Sequence, residues 1–257
     1  MWNRRLLKSN ARNVIARRGW AILILAALIY EVLNGFSVTY NAEYRFADIV
    51  VAGIFQIRLV GSQWMGKVAT LGIVGGLLMF FVGLPLQVGY IRYLMESRQG
   101  EPPLDTLFSV FRDGYGNILW VQFITGVKIF LWSLLLVVPG IVKAYQYYMV
   151  PYLLAENPYM EANRAQQLSR QMMEGEKWAT FVLEVSFFGW ALLAGLAGGV
   201  LELIPFLDFI SFTTVLSLPV MVYLNATLAE LYAALRAKAD AMGIVEPDEL
   251  NGFVTYQ

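Results

Sequence analysis

The feature that most constrains this chain is a series of long apolar segments, since a membrane-spanning helix needs about 20 mostly apolar residues. Six candidate spans can be placed, at about 20–38, 68–94, 117–138, 141–154, 178–203 and 209–235. With 58% hydrophobic and only 15% charged residues, the chain is too apolar for an ordinary water-soluble fold. We therefore predict an all-α, polytopic transmembrane helix bundle of about six spans, forming one domain over residues 1–238.

The N-terminus is strongly basic and leads directly into the first span. Six cationic residues precede it: Arg4, Arg5, Lys8, Arg12, Arg17 and Arg18. A signal peptide has a basic region of this kind, but no small-residue cleavage site follows, and the apolar stretch continues into Glu31 and Asn34. An uncleaved signal anchor is therefore favoured over a cleaved signal peptide.

The distribution of basic residues predicts the orientation. If six spans follow a cytoplasmic N-terminus, fourteen Lys and Arg residues lie on the cytoplasmic side and three on the other side. This bias follows the positive-inside rule, so we expect a multi-pass protein of the cell membrane with both termini in the cytoplasm. This placement of the C-terminus depends on whether the short fourth span crosses the membrane, because five spans would place the C-terminus outside.

Three segments between or after the spans are polar. Residues 104–112 and 158–177 are predicted to form amphipathic helices on the cytoplasmic side. Residues 39–67 mix charges with a short apolar run and are expected to rest at the outer interface. Residues 239–257 form an acidic C-terminal tail that we expect to be mobile.

The residue types that are missing exclude much chemistry. The chain has no cysteine and no histidine, which removes thiol nucleophiles, histidine general bases and the usual zinc sites. No phosphate-binding loop, dinucleotide fingerprint or nucleophile elbow is present. We therefore expect no enzymatic activity, no cofactor and no bound metal, and the zero net charge gives no reason to expect a nucleic acid partner.

Five ionisable residues lie within or at the edges of the spans: Lys128, Lys143, Glu184, Glu202 and Glu230. Each costs about 2.5 to 3.5 kcal/mol at the bilayer centre on insertion scales. Structural pairing or snorkelling to the interface accounts for such residues, and a transport or catalytic role is the alternative. The candidate polar membrane site comprises Lys143, Gln146, Tyr145 and Glu184, although a direct pair between Lys143 and Glu184 would require bent or tilted helices.

The fourth segment carries a row of tyrosines. Tyr145, Tyr148 and Tyr152 recur at spacings of three and four and so share one helical face. Tyrosines often anchor a helix at the membrane interface, but the same face would suit a polar-lined groove. Because 141–154 is short and amphipathic, it is expected to be buried among other helices or to line a cavity.

The central part of the chain resembles a known family. The resemblance is carried by 139–147, by Met149, by 151–152, by 155–158, by Ala162, Ser169, by 172–173, and by Gly175, 177–178, Phe181, Leu183, 186–187 and 189–190. These residues are similar to the bacterial integral membrane family known as domain of unknown function 975. The resemblance implies a multi-spanning membrane protein without assigned activity or catalytic residues. A more distant similarity, to the membrane domain of some glycerophosphodiester phosphodiesterases, favours a lipid-related role.

Three functions remain open from the sequence. The first is a non-enzymatic protein of envelope maintenance that binds a membrane lipid, another membrane protein or a second copy of itself. The second is a small-solute or ion transporter or channel with a path lined by Lys143, Gln146 and Glu184, and the third is a membrane enzyme. Lateral grooves open to lipid would favour the first, and a water-filled cavity would favour the second.

Overall fold

The computed structural model describes residues 2–38, 76–201 and 212–250, and side chains within these ranges except those of 33–38. The described residues contain helices and no β-strand. The helices are α1 (Arg4–Arg18), α2 (Trp20–Val38), α3 (Gly76–Ser97), α4 (Tyr115–Leu135), α5 (Val137–Gln146), α6 (Val150–Glu156), α7 (Ala162–Met172), α8 (Lys177–Leu201) and α9 (Phe212–Ala241). A 3₁₀ helix, Leu104–Phe111, lies between α3 and α4.

Four of these helices, α3, α4, α8 and α9, are long and apolar enough to cross a membrane. Helices α1 and α2 meet at an angle of 99° and would provide a fifth span if counted together. Large apolar side chains of α4 and α8 stay exposed along most of both helices, as expected where lipid replaces a protein partner. The all-α membrane bundle predicted from the sequence is confirmed.

Several helix termini meet at one end of the bundle, which we call the polar end. Arg17, near the end of α1, donates hydrogen bonds to the carbonyl oxygens of Ser97 and Arg98, at 2.9 and 2.6 Å. Lys238 of α9 lies 2.6 Å from the carboxylate of Glu176, just before α8. The segments predicted to carry most of the basic residues therefore lie together.

The chain leaves the polar end through α4 and returns through two short helices. Asn117, at the start of α4, donates to the carbonyl oxygen of Pro158, at 2.8 Å, so α6 ends where α4 begins. The predicted fourth span, 141–154, is thus not one helix: α5 ends at Gln146 and α6 starts at Val150. The reversal of direction falls at Leu136, inside the predicted third span 117–138, and Gly140 allows α5 to pack closely on Ser133.

The break between α5 and α6 is repaired by one side chain. The hydroxyl of Ser169, on α7, donates to the carbonyl oxygen of Gln146 at 2.9 Å and accepts from the backbone N–H of Met149 at 3.1 Å. Both backbone groups are left without helical partners by the break, and unpaired backbone groups are costly away from water. Helices α5 and α6, with the break between them, form what we call the return segment. Ser169 therefore allows this broken segment to lie in the interior of the bundle.

The two predicted amphipathic segments are both helical. Residues 104–111 form the 3₁₀ helix, and 162–172 form α7. Helix α7 is not a free surface helix, however, because Leu168 and Ser169 are fully buried against the rest of the bundle. The predicted helix over 158–177 is therefore shorter, at 162–172, and one face of it is buried in the bundle.

The first part of the C-terminal tail is packed against the bundle. The guanidinium of Arg164 contacts both carboxylate oxygens of Glu249, at 2.6 and 2.7 Å. Arg236 donates to the carbonyl oxygen of Leu250, a residue that is itself buried. The expectation of a mobile tail is therefore wrong for 239–250, and residues 251–257 lie outside the described part of the chain.

Other expectations fall on residues that the structure does not describe. These are the interfacial segment 39–67, the beginning of the second span at 68–75, the end of the fifth span with the charge of Glu202, and the beginning of the sixth span at 209–211.

A buried ion pair joins α6 to α9. The Glu156 side chain has no exposed surface, and both of its carboxylate oxygens accept from Nε of Arg236, at 2.8 and 3.1 Å. The hydroxyl of Tyr232 donates to the same carboxylate at 2.6 Å. A charge with no exposed surface is tolerated only when it is paired and hydrogen-bonded, so these three residues hold the end of the return segment in place.

We predict that Glu156→Ala strongly destabilises the protein. The change removes the acceptor of Tyr232 and leaves the Arg236 guanidinium with only the Asp240 carboxylate, at 2.9 Å. Breaking a buried ion pair costs about 3 kcal/mol or more. The measurement is thermal unfolding of the purified protein in detergent. Asp105→Ala is the matched control, since it breaks an ion pair with Arg112 in which both side chains are more than 60% exposed; an equal loss of stability in both variants would contradict the prediction.

We also predict that acid releases the C-terminal segment. Hydrogen bonds from Arg164 hold the pKa of the Glu249 carboxyl below its ordinary value of 4.5. A carboxyl with a lowered pKa in the folded state stabilises that state above its ordinary pKa, and this stabilisation is lost as the pH falls through the lowered value. Segment 244–250 should therefore detach as the pH falls through the lowered pKa of Glu249, below the ordinary value of 4.5.

The absence of native cysteines allows this release to be measured with one label. A nitroxide on Glu246→Cys, at a side chain that is 74% exposed, should become mobile on acidification while the helical circular dichroism is unchanged. Adding Glu249→Gln should abolish the pH step. A step that persists in the Gln variant would assign it to another group.

Candidate functional site

A groove lined by cations and aromatic rings opens between α1, α8 and α9. Its volume is about 620 Å³. It is lined by Arg5, Lys8, Arg12, Trp20, Phe187, Trp190, Pro219, Val220 and Tyr223. We call it the basic groove.

Helix α1 positions the cations because its opposite face is buried. Leu7, Ala11, Val14 and Ile15 recur at helical spacing and pack into the core. This leaves the basic face of α1 directed toward the groove and its surroundings. The sharp angle between α1 and α2 places α1 across the bundle rather than along it, as in amphipathic helices that lie in the plane of a membrane interface.

Lys8 is held at the groove by contacts with two helices. Its ammonium group lies 4.1 Å from the centroid of the Phe187 ring, within the range of cation–π interactions. The hydroxyl of Tyr223, on α9, donates to the Lys8 carbonyl oxygen at 3.2 Å. The cation is thus set against an aromatic wall and is not a freely solvated side chain.

The basic groove has an uncompensated positive charge. Within the described residues, its lining includes no Asp or Glu, and Arg5, Lys8 and Arg12 form no ion pair with a carboxylate. Arg5 and Arg12 are exposed. The groove can therefore accept an anionic group at α1 and apolar groups along α8 and α9.

The sequence contained a signal for this groove that our prediction did not use. The basic N-terminal residues were assigned to a signal anchor, although Leu7, Ala11 and Val14 already describe one buried helical stripe. The contacts of Lys8 with Phe187 and Tyr223 could not be predicted in this way, because both residues are more than 170 positions away from Lys8 in the sequence.

The predicted polar membrane site is partly assembled. The hydroxyl of Tyr145 donates to the Glu184 carboxylate at 2.5 Å, and the hydroxyl of Tyr148 donates to its other oxygen. The two tyrosine rings stack with centroids 5.7 Å apart. Tyr145 and Glu184 also line a second groove of about 390 Å³, which is otherwise mainly apolar.

Lys143 and Gln146 do not join this cluster. The Lys143 ammonium lies 4.9 Å from the centroid of the Trp132 ring, on α4. The Gln146 side-chain carbonyl oxygen is buried and accepts no hydrogen bond within the described residues. The structure thus brings together two of the four predicted residues, and their role as a functional site stays a prediction.

Two further charges of the predicted spans have partners on neighbouring helices. Lys128 donates to the side-chain oxygen of Gln166, and Glu230 pairs with Arg98 at 2.8 Å. Together with the tyrosine contacts of Glu184, these bonds favour structural pairing over a continuous charged path. They give no support to a conduit that runs through Lys143 and Glu184.

The tyrosine row does not form one continuous face. Tyr145 and Tyr148 meet at Glu184, whereas Tyr152 lies beyond the break and stacks on Tyr232 with centroids 5.5 Å apart. Tyr147, Tyr148 and Tyr152 all line a cavity inside the bundle. The arrangement therefore agrees better with the lining of a cavity than with an anchoring stripe.

Comparison with known proteins finds one family model that matches part of the chain. Residues 134–239 match the family described as "Protein of unknown function (DUF975)", which confirms the resemblance found in the sequence over the segment from the end of α4 to the last turn of α9. No curated protein and no solved structure matches the chain. The distant similarity to the membrane domain of glycerophosphodiester phosphodiesterases is not shown by these comparisons.

We predict that Tyr145 and Glu184 are energetically coupled. A hydrogen bond to a charged group contributes about 1.5 to 3 kcal/mol, so Tyr145→Phe and Glu184→Ala should each destabilise the protein, and the double variant should lose less than the sum. The measurement is a double-mutant cycle of unfolding free energies in detergent. Tyr159→Phe is the control, because this tyrosine is 70% exposed; additive losses for Tyr145 and Glu184 would contradict the coupling.

Proposed function

We propose that this protein, whose residues 134–239 match a family of unknown function, is a non-enzymatic membrane protein that binds an anionic phospholipid in the basic groove. One observation carries the proposal: three cations without carboxylate partners share a groove with exposed tryptophans. We expect the protein to act in maintenance of the cell envelope.

The charge of the groove supports an anionic headgroup. Arg5, Lys8 and Arg12 are spaced three and four residues apart, and residues at this spacing are neighbours on a helix surface. Basic residues near a membrane surface attract anionic lipid with about 1 kcal/mol each. A single phosphate placed among the three would replace the carboxylates that the groove lacks.

The remaining walls of the groove support the acyl part of a lipid. Trp20 and Trp190 are 45% and 66% exposed, and Pro219 and Val220 add apolar surface from α9. Tryptophan is favoured where headgroups meet acyl chains. A soluble anion such as inorganic phosphate would leave this apolar surface uncovered, so the groove fits a lipid better.

The proposed orientation agrees with this ligand. The polar end of the bundle holds most of the basic residues, and we propose that it faces the cytoplasm with both termini. Anionic phospholipids of the cytoplasmic leaflet attract basic segments close to the membrane. Helix α1 would then lie at that leaflet with its buried stripe toward the protein.

Transport of a small solute is the second candidate function. It is favoured by the cavity of about 490 Å³ between the helices, whose mainly apolar lining includes Gln87 and Asn225, and it is not favoured by the isolated position of Lys143. Binding of another membrane protein or of a second copy of this chain stays a prediction from the sequence.

The proposal is tested by charge removal at the groove. We expect Arg5→Gln, Lys8→Gln and Arg12→Gln, combined, to weaken binding of phosphatidylglycerol by about 3 kcal/mol, or roughly 100-fold. The measurement is native mass spectrometry of the purified protein titrated with phosphatidylglycerol and with phosphatidylcholine.

The matched control removes equal charge elsewhere. Arg112→Gln, Arg170→Gln and Lys177→Gln, combined, leave the groove intact and should retain the wild-type preference for phosphatidylglycerol. An equal loss in both triple variants would show that net charge alone attracts the lipid. Equal binding of both lipids to the wild type would overturn the proposal.

A further inference from the structure

The hairpin formed by α4 and the return segment reverses direction in a wholly apolar stretch. The sequence from Leu134 to Val142 is Leu-Leu-Leu-Val-Val-Pro-Gly-Ile-Val, without one polar side chain. Residues 134–138, which we call the hairpin tip, have side chains that are between 67% and 73% exposed. Five adjacent aliphatic side chains exposed to water are unfavourable. The tip is therefore suited to hydrocarbon and not to water.

The α4 arm of the hairpin extends only a short distance beyond its polar contacts. Gln122 donates to the carbonyl oxygen of Leu84 at 2.9 Å. One turn and a half further on, Lys128 donates to the buried side chain of Gln166, on α7. From Lys128 to Leu136 the chain rises only about 12 Å, at 1.5 Å per helical residue.

The α5 arm gives a similar distance. Tyr145, near the end of α5, donates to the Glu184 carboxylate at 2.5 Å. From Tyr145 back to Leu136 the rise is about 14 Å. Within the described residues, both arms thus extend about 12 to 14 Å beyond their last hydrogen bond to the rest of the bundle. This is less than half of the hydrocarbon thickness of a bilayer, roughly 30 Å.

The neighbouring helices α8 and α9 are free of charge over about twice this length. From Glu184 to its end at Leu201, α8 rises about 26 Å without a charged residue. From Glu230 to its beginning at Phe212, α9 spans about 27 Å, also without a charge between them. The two helices stay packed near their far ends, where Gly198 allows close contact with α9. Counted along α8 from the Tyr145–Glu184 hydrogen bond, the hairpin tip stops about 12 Å short of the end of that helix.

The sequence that connects α8 and α9 differs from the hairpin tip in composition. Residues 202–211 include Glu202 and Asp208, and charged residues of this kind are favourable where a connection meets water at the membrane surface. The hairpin tip contains no such residue. The two connections are therefore suited to different depths in the membrane.

The backbone of the reversal is also suited to hydrocarbon, where unpaired polar groups are costly. A single residue, Leu136, separates α4 from α5. Its N–H donates to the carbonyl oxygen of Trp132, and its own carbonyl oxygen accepts from the N–H of Gly140, both at 3.2 Å. Pro139 has no N–H that would need a partner. Hydrogen bonds therefore continue across the reversal, and few backbone groups lose their partners there.

We propose that α4 and the return segment form a re-entrant hairpin, which enters the membrane from the polar end, stops near the middle of the bilayer and contacts lipid acyl chains through its tip. The partner is the hydrocarbon of the bilayer and no headgroup takes part, so the inference does not depend on phospholipid binding in the basic groove. A hairpin that enters and leaves on one side removes two of the six predicted crossings. The two termini therefore stay on the same side of the membrane.

The test measures the depth of a spin label at the tip. Because the chain has no native cysteine, Leu136→Cys gives a single labelled site in the purified protein in phosphatidylglycerol nanodiscs. Electron paramagnetic resonance compares the collision rate of the label with oxygen, which concentrates in hydrocarbon, and with a water-soluble nickel chelate. We expect the oxygen-to-nickel ratio at Leu136→Cys to be several-fold higher than at Val200→Cys, a 64% exposed position near the far end of α8. Glu101→Cys, at a side chain that is 73% exposed, is the reference in water.

Three results would overturn the proposal. A ratio at Leu136→Cys no higher than at Val200→Cys would show that the tip extends to the far surface. A ratio as low as at Glu101→Cys would show that the tip lies in water. Low collision rates with both reagents would show that protein, such as a second copy of the chain, covers the tip in place of acyl chains.

A charge at the tip provides an independent test. Leu136→Arg places a guanidinium near the bilayer centre and should lower the unfolding temperature in the same nanodiscs by about 5 °C or more. Val200→Arg is the matched control, because an arginine near the end of a span can extend its charge to the interface, and it should lower the unfolding temperature much less. Equal shifts in the two variants would contradict the re-entrant hairpin.

Discussion

The buried carboxylate of Glu156 is the constraint on which the arrangement of the interior depends. A carboxylate without exposed surface is stable only beside a cation, and Arg236 and Tyr232 provide its partners. This fixes the end of α6 on α9 and, through Arg236 and Leu250, also fixes the C-terminal segment. Because α6 cannot shift along α9, the tyrosines before it are held at the cavity and at Glu184.

The short return segment is stable because its polar groups are satisfied from outside the helix. A continuous spanning helix pairs its own backbone, whereas a broken one needs partners from its neighbours. Ser169 provides these partners at the break. Tyr147 and Tyr148 lie at this break, so their positions are not set by the face of a regular helix. The polar side chains that made 141–154 unsuitable as a lipid-facing helix therefore contact other helices of the bundle.

The parts of this structure that the sequence predicted are those that depend on local composition. Helices α4, α8 and α9 follow from apolar runs, and the polar character of the return segment follows from Lys143, Gln146 and the tyrosines. The break at 147–149 depends on a serine 20 residues away, and the docked tail depends on Arg164. Neither partner can be identified by periodicity or composition, since both act across the fold.

The basic groove and the cavity show the same limit. Glu31 was noticed only as an interruption of an apolar run, and Tyr90 lies in the predicted second span without being singled out. Both line the cavity together with Tyr30, Gln122 and Asn225, which come from separate helices. A charge within a span can be recognised in the sequence, but the side chains that surround it can be seen only in the folded chain.

Helix α9 separates the basic groove from the cavity and contributes to both. Pro219, Val220 and Tyr223 line the basic groove, while Met221, Asn225 and Leu228 line the cavity. Different faces of one helix therefore meet the two spaces. The cations of α1 line the groove side only, where the described lining residues include no carboxylate that could neutralise them.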